Sequence, residues 1–151
     1  MNRLHQEGKI GIFGGSNWSP ARFAEANAYA ASVVAAVPPE QALQALMEVY
    51  LSREHLAAIE TGCPVSALGS EMPRQSPEVR RAATRRIKEM IDLVARQSPD
   101  WGQPSGHERA LATVATMVGT LVLARAVDDP ALSDSLCKAA LKRLVPSVSE
   151  A

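Results

Sequence analysis

Residues 110–124 read ALATVATMVGTLVLA, fifteen positions without a charged side chain, bounded by Glu108 and Arg109 on one side and Arg125 on the other. Leu111, Val114, Ala115, Val118, Leu121 and Val122 recur at the three-and-four spacing of one helix face. Ala112, Met117, Leu123 and Ala124 make the remaining faces apolar as well. A helix without a polar face needs cover on every side, so this spacing predicts a central helix over 105–127 around which the rest of the chain is arranged. The run falls short of the roughly 18 to 20 residues that cross a bilayer. Three threonines and a glycine also interrupt it, so protein rather than membrane is the expected cover. This chain can supply one part of that cover, and a second copy of it the other.

At 151 residues the chain is long enough for one domain with a substantial core and too short for two. Sixteen basic and sixteen acidic residues cancel, and the isoelectric point lies near 6.8. Such a balance is poor material for a surface that must neutralise several phosphates, so tight DNA binding by these residues is not expected. Cys63 and Cys137 stand far apart, with no CxxC pair and no signal peptide ahead of them. That usage fits the reducing cytoplasm, with both thiols serving as buried apolar packing. Alanine is abundant, aromatics are scarce and no stretch alternates polar with β-branched residues. The expected fold class is all-α, a helical bundle of five to seven helices.

Three segments divide the chain: an irregular lead-in over 1–19, a helical domain over 20–146 and a short tail over 147–151. The lead-in holds GKIGIFGGSNWSP, whose glycines form neither GxGxxG nor GxxxxGK[ST], so no phosphate-cradling loop is expected. Ser19 and Pro20 give a cap-plus-proline start to a helix reaching Ala36. Pro38 and Pro39 begin a second, with Leu43, Leu46, Met47, Tyr50 and Leu51 as its stripe and an end between Arg53 and Ala57. Val65, Leu68 and Met72 line a short helix that Pro73 stops. Ser76 and Pro77 open a long one that ends before Pro99, Ser105 caps the charge-free helix, and Asp128, Asp129 and Pro130 break the chain before a last helix to Leu144.

Chemistry-bearing patterns are few. Arg80, Arg81, Arg85, Arg86 and Lys88 cluster on the long middle helix, but Glu78, Glu89 and Asp92 are interleaved with them, the mixture of an ordinary solvated face. His5, His55 and His107 share no metal-ligand spacing, and no GxSxG is present. No catalytic residue, metal or cofactor is assigned. Methionines and aromatics adapt to irregular spaces, so a cavity between the helices would draw on Met47, Tyr50, Leu68, Met72, Met90, Trp101 and Met117. In a closed bundle the same residues are simply core.

With the helices placed, the order of segments resembles the C-terminal regulatory domain of TetR/AcrR-type transcriptional regulators. The resemblance rests on PPEQALQALMEVYLSREH, on GCPVSALGSEMPRQSPEVRRAATRRI, and most specifically on LATVATMVGTLVLARAVDDPALSDSLCKAALKRL, spanning Pro38 to Leu144. It implies a homodimer in which the last two helices of each copy form a four-helix interface. Ala112, Ala115, Thr116, Val118, Gly119, Leu121, Val122, Leu132, Leu136, Ala140 and Leu144 are the expected contact residues. It implies a small apolar effector bound among the preceding helices. DNA would be contacted only through a helix-turn-helix head, which residues 1–19 do not supply. Two other readings are a free-standing helical carrier, or heterodimer partner of full-length regulators, and a small helical enzyme using His55 or His107.

Overall fold

The computed structural model describes residues 20–145, which form an all-α domain; among these residues there is no strand. The helices are α1 (Pro20–Ala35), α2 (Pro39–Tyr50), α3 (Arg53–Ala57), α4 (Pro64–Leu68), α5 (Pro77–Arg96), α6 (Pro104–Ala126) and α7 (Pro130–Leu144), with a 3-10 helix, Gly69–Arg74, between α4 and α5. The lead-in, the Ser19 cap and the tail beyond Val145 lie outside the described residues.

Proline punctuation sets most of the starts. Pro39, Pro64, Pro77, Pro104 and Pro130 each occupy the first turn of a helix, where the missing N–H costs nothing and the fixed φ is already helical. Ser76 Oγ accepts from Val79 N, and Asp129 Oδ1 accepts from both Ala131 N and Leu132 N. Three expectations need correction. Pro73 does not stop the short helix: α4 already ends at Leu68, and Pro73 lies inside the 3-10 helix. The second helix does not run on to Ala57: Ser52 takes an extended conformation and its Oγ accepts from His55 N, restarting the chain as α3. Ser105 is not a cap either, because Pro104 already begins α6 and Gln103 holds the cap position.

α6 packs against α5 on one side and α7 on the other, and α1 lies across α2 and α5. Leu46, Val94, Ala95, Ala110 and Val114 form one core cluster, with Ala30, Val34, Met90 and Val118 around it. Leu51, Ala124, Cys137 and Ala140 form a second, nearer the α6–α7 turn, with Tyr50, Leu56 and Leu136 against it. By length and composition α6 could cross a membrane, but Ala110, Val114, Met117, Leu121 and Ala124 are buried within the domain, as in a core helix.

The described residues do not cover α6 on every side. Leu121 is 0% exposed, whereas Leu111 and Val122 are each 43% exposed and Leu123 is 55% exposed. Ala112, Ala115, Thr116 and Ala126 share that outward face, and Leu132 extends it onto α7.

Candidate functional site

Between α1, α2, α5 and α6, over the α3–α4 segment, lies a cavity of about 440 Å³, within the size range of sites for drug-sized molecules. Phe23, Ala26, Ala30 and Val33 of α1, Met90, Leu93 and Val94 of α5, and Val114, Met117 and Val118 of α6 form an apolar wall. The α1 stripe follows from the same spacing that makes it a helix: residues three and four apart share one face. The end over α3 is more polar. It is built from Tyr50, Ser52, His55, Thr61, Gly62 and Cys63.

That polar end is a tightly connected strap. Tyr50 packs edge-on to His55, with ring centroids 4.7 Å apart and planes at 78°. His55 Nδ1–H donates to Tyr50 O at 2.6 Å, and Cys63 N–H donates to His55 Nε2 at 3.0 Å. Accepting at Nε2 makes the ring neutral with its proton on Nδ1. Gly62 has to be glycine here, since a Cβ would stand 2.6 Å from Ala58 O and 2.7 Å from the His55 ring. Arg125 reaches back from α6 to the carboxyl end of α3. Its Nε–H donates to Leu56 O at 3.0 Å and its Nη2 to His55 O at 2.6 Å and Ala58 O at 3.4 Å, while Nη1 donates to Ser66 Oγ at 3.0 Å. His55 O also accepts from Ala58 N–H at 3.2 Å and Ala58 O from Gly62 N–H at 2.8 Å, so the guanidinium adds a cation to a carbonyl cluster at a helix end, where it is favoured.

Burial pushes the His55 imidazole below its ordinary value; the Tyr50 carbonyl opposes this and the charge of Arg125 adds to it. Between the folded and unfolded values the unfolded chain holds more protons, so stability rises with pH. The contribution is complete above about pH 6.5, the unfolded value, and is lost as pH falls from there through the folded one. Urea midpoints measured between pH 8 and pH 5 should drop more for the wild type than for His55→Gln. Equal pH dependence of the two would remove His55 from the account.

The residues expected to line a pocket divide. Tyr50, Met90 and Met117 line the cavity. Met47, at 1% exposure, is packed in the core and does not reach it. Leu68 ends α4 and Met72 lies in the 3-10 helix, both away from the cavity. Trp101 is 55% exposed in the α5–α6 loop, with the Arg96 guanidinium 5.8 Å from its ring centre. The pairing residues divide too. Ala112, Ala115, Thr116, Val122 and Leu132 are exposed, and a Cβ on Gly119 would meet nothing within 4 Å. Leu121 and Ala140, by contrast, are buried in this chain's own core, Val118 lines the cavity, and Leu136 packs against the second cluster. Leu144 is half-buried. Sequence reasoning missed the α1 stripe as cavity wall, though its spacing was visible. It also missed Arg125 and Gly62, which no local pattern marks.

Both ring nitrogens of His55 are taken by backbone groups, and His107 is exposed on the first turn of α6. The domain is all-helical among the described residues, with an apolar cavity on one side of its central helix and exposed apolar residues on the other. The family model for the tetracyclin repressor-like C-terminal domain matches residues 39–140, and the chain belongs to that family. No curated protein matches the sequence.

Proposed function

We propose that this domain binds a small apolar effector and forms a homodimer through α6 and α7, so that effector binding controls DNA binding by a helix-turn-helix head joined to it, in the cytoplasm. The observation that carries this reading is the two-sidedness of α6. Met117 and Val118 face the cavity, while Val122 and Leu123, about one turn further along, face outward and are 43% and 55% exposed. An occupant of the cavity therefore touches the same helix that would meet the partner copy.

Leu111, Ala115, Val122 and Leu123 on α6 and Leu132 on α7 form a continuous apolar face of a kind that soluble monomers rarely leave uncovered. Thr116 Oγ1 donates to Ala112 O at 2.8 Å, so its hydroxyl needs no outside partner and the residue can enter a dry contact. A glycine inside a helix costs about 1 kcal/mol relative to alanine, and nothing among the described residues requires one at Gly119. Close approach of a second helix supplies the reason. Two helices from each copy would meet about a two-fold axis and bury on the order of 2,000 Å² or more. Sedimentation equilibrium at micromolar concentration should give a dimer; a monomer would sink the pairing. In a gel shift the chain alone, being neutral, should not retard operator DNA.

A further inference from the structure

Resting on the reading of the cavity as an effector site, we propose that its ligand is an amphiphilic amine, whose hydrocarbon body fills the cavity and whose ammonium group pairs with Glu54. The interior suits the first part, since Phe23, Ala26, Ala30, Val33, Met90 and Val118 make its wall apolar. The charges on the lining decide the second. They are Arg22, Arg86, Glu25 and Glu54. Arg22 pairs with Glu25 at 3.0 Å, and its Nη2 donates to Glu60 O at 2.9 Å. Arg86 pairs with Glu89 at 2.8 Å, and Asn27 Nδ2 donates to the same carboxylate at 3.2 Å. Both guanidiniums are therefore matched. The Glu54 carboxylate is left over, with no ion-pair partner among the described residues.

The other cations of this part of the fold are committed elsewhere. Arg53, next to Glu54 in the chain, pairs with Asp134 of α7. Arg125 does not line the cavity, and its donors go to three carbonyls of the α3 segment and to Ser66 Oγ. His55 is neutral, with both ring nitrogens bonded to backbone groups, so it offers Glu54 no charge. Glu54 is exposed while it lines the cavity, which places it at the open margin of the chamber. An ammonium held there keeps part of its hydration and escapes the full cost of burying an ion. The chain behind it still reaches the apolar wall, as a lysine stem covers apolar surface while its head stays wet. Tyr29, 63% exposed and also on the lining, adds an aromatic ring at the margin, and such rings attract cations. A carboxylate ligand would meet the opposite conditions: repulsion from Glu54, and two guanidiniums whose counter-ions are already in place.

The test uses the chain as it stands, with Nile red as a neutral reporter and displacement by octylammonium, octan-1-ol and octanoate at pH 7.4 and low salt. Octylammonium should displace the dye at concentrations about tenfold below those octanoate requires. Glu54→Gln, at an exposed position, should weaken octylammonium about threefold to fivefold, strengthen octanoate by a similar factor and leave octan-1-ol unchanged. The unchanged alcohol also shows that the variant keeps its cavity. Raising NaCl to about 0.5 M should remove most of the difference between the two ions, because the pairing is at the margin and open to screening. Octanoate that binds the wild type as tightly as octylammonium overturns the amine class. A Glu54→Gln protein that keeps the full octylammonium affinity, or loses octan-1-ol equally, overturns the pairing with Glu54. If none of the three displaces the dye, octan-1-ol included, the effector-site reading fails and this inference goes with it.

Discussion

Replacing Arg125 by methionine is expected to cost the domain about 1 to 3 kcal/mol, on the scale of leaving a buried acceptor without its donor. The methionine keeps the apolar stem but removes the donor to Leu56 O and to Ser66 Oγ, while His55 O and Ala58 O keep only the backbone N–H groups of Ala58 and Gly62. Those carbonyls close α3, and α3 carries His55, which holds both Tyr50 O and Cys63 N. Loss of one guanidinium therefore loosens the whole polar end of the cavity. Against a total stability of typically 5–15 kcal/mol, the variant should stay folded but marginal in urea. Arg125→Lys should recover only part of the loss, because an ammonium cannot span four acceptors in the plane a guanidinium does. A methionine variant within 0.5 kcal/mol of wild type would show that water serves these carbonyls as well.

Val122→Glu is expected to convert the dimer to a folded monomer. The side chain is 43% exposed in the chain, so the charge is solvated in a lone copy, and such surface changes usually shift stability by no more than about 0.5 kcal/mol. Set in a dry two-fold contact, it would appear twice, unpaired, at a cost of several kcal/mol. Leu121→Glu is the contrasting case. Leu121 is 0% exposed, so a charge there breaks the core and should unfold the chain instead of dissociating it. Gly119→Leu adds bulk without charge where a Cβ meets nothing, and it should weaken pairing while the helix content by circular dichroism holds. Sedimentation and thermal melts on the three variants distinguish the cases. A Val122→Glu protein that still sediments as a dimer would mean that pairing, if it occurs, uses another face.

The helices, most of their starts and the central place of α6 were legible in the residues alone. Cap and proline signals act within one turn, and apolar spacing acts within one helix, so neither needs a neighbour to be read. Family membership was legible for the same reason, from the run LATVATMVGTLVLARAVDDP and the helix after it. What α6 faces was not legible. Leu121 and Val122 are adjacent and similar, and on a helix apolar all round no residue says which side is inward. Only the packing of α5 and α7 against it put Leu121 in the core and Val122 outside. The same holds for the aromatics. Tyr50 and Trp101 are equal candidates by composition, but Tyr50 packs against His55 and the second core cluster and lines the cavity, while Trp101 sits in a loop beyond α5. Arg125 read as the end of a charge-free run, and its partners lie 59 to 70 residues earlier. Local chemistry in the sequence thus determined which segments are helices and how they begin. Tertiary structure alone decided which faces became cavity, core or open surface, because those depend on contacts between residues far apart in the chain.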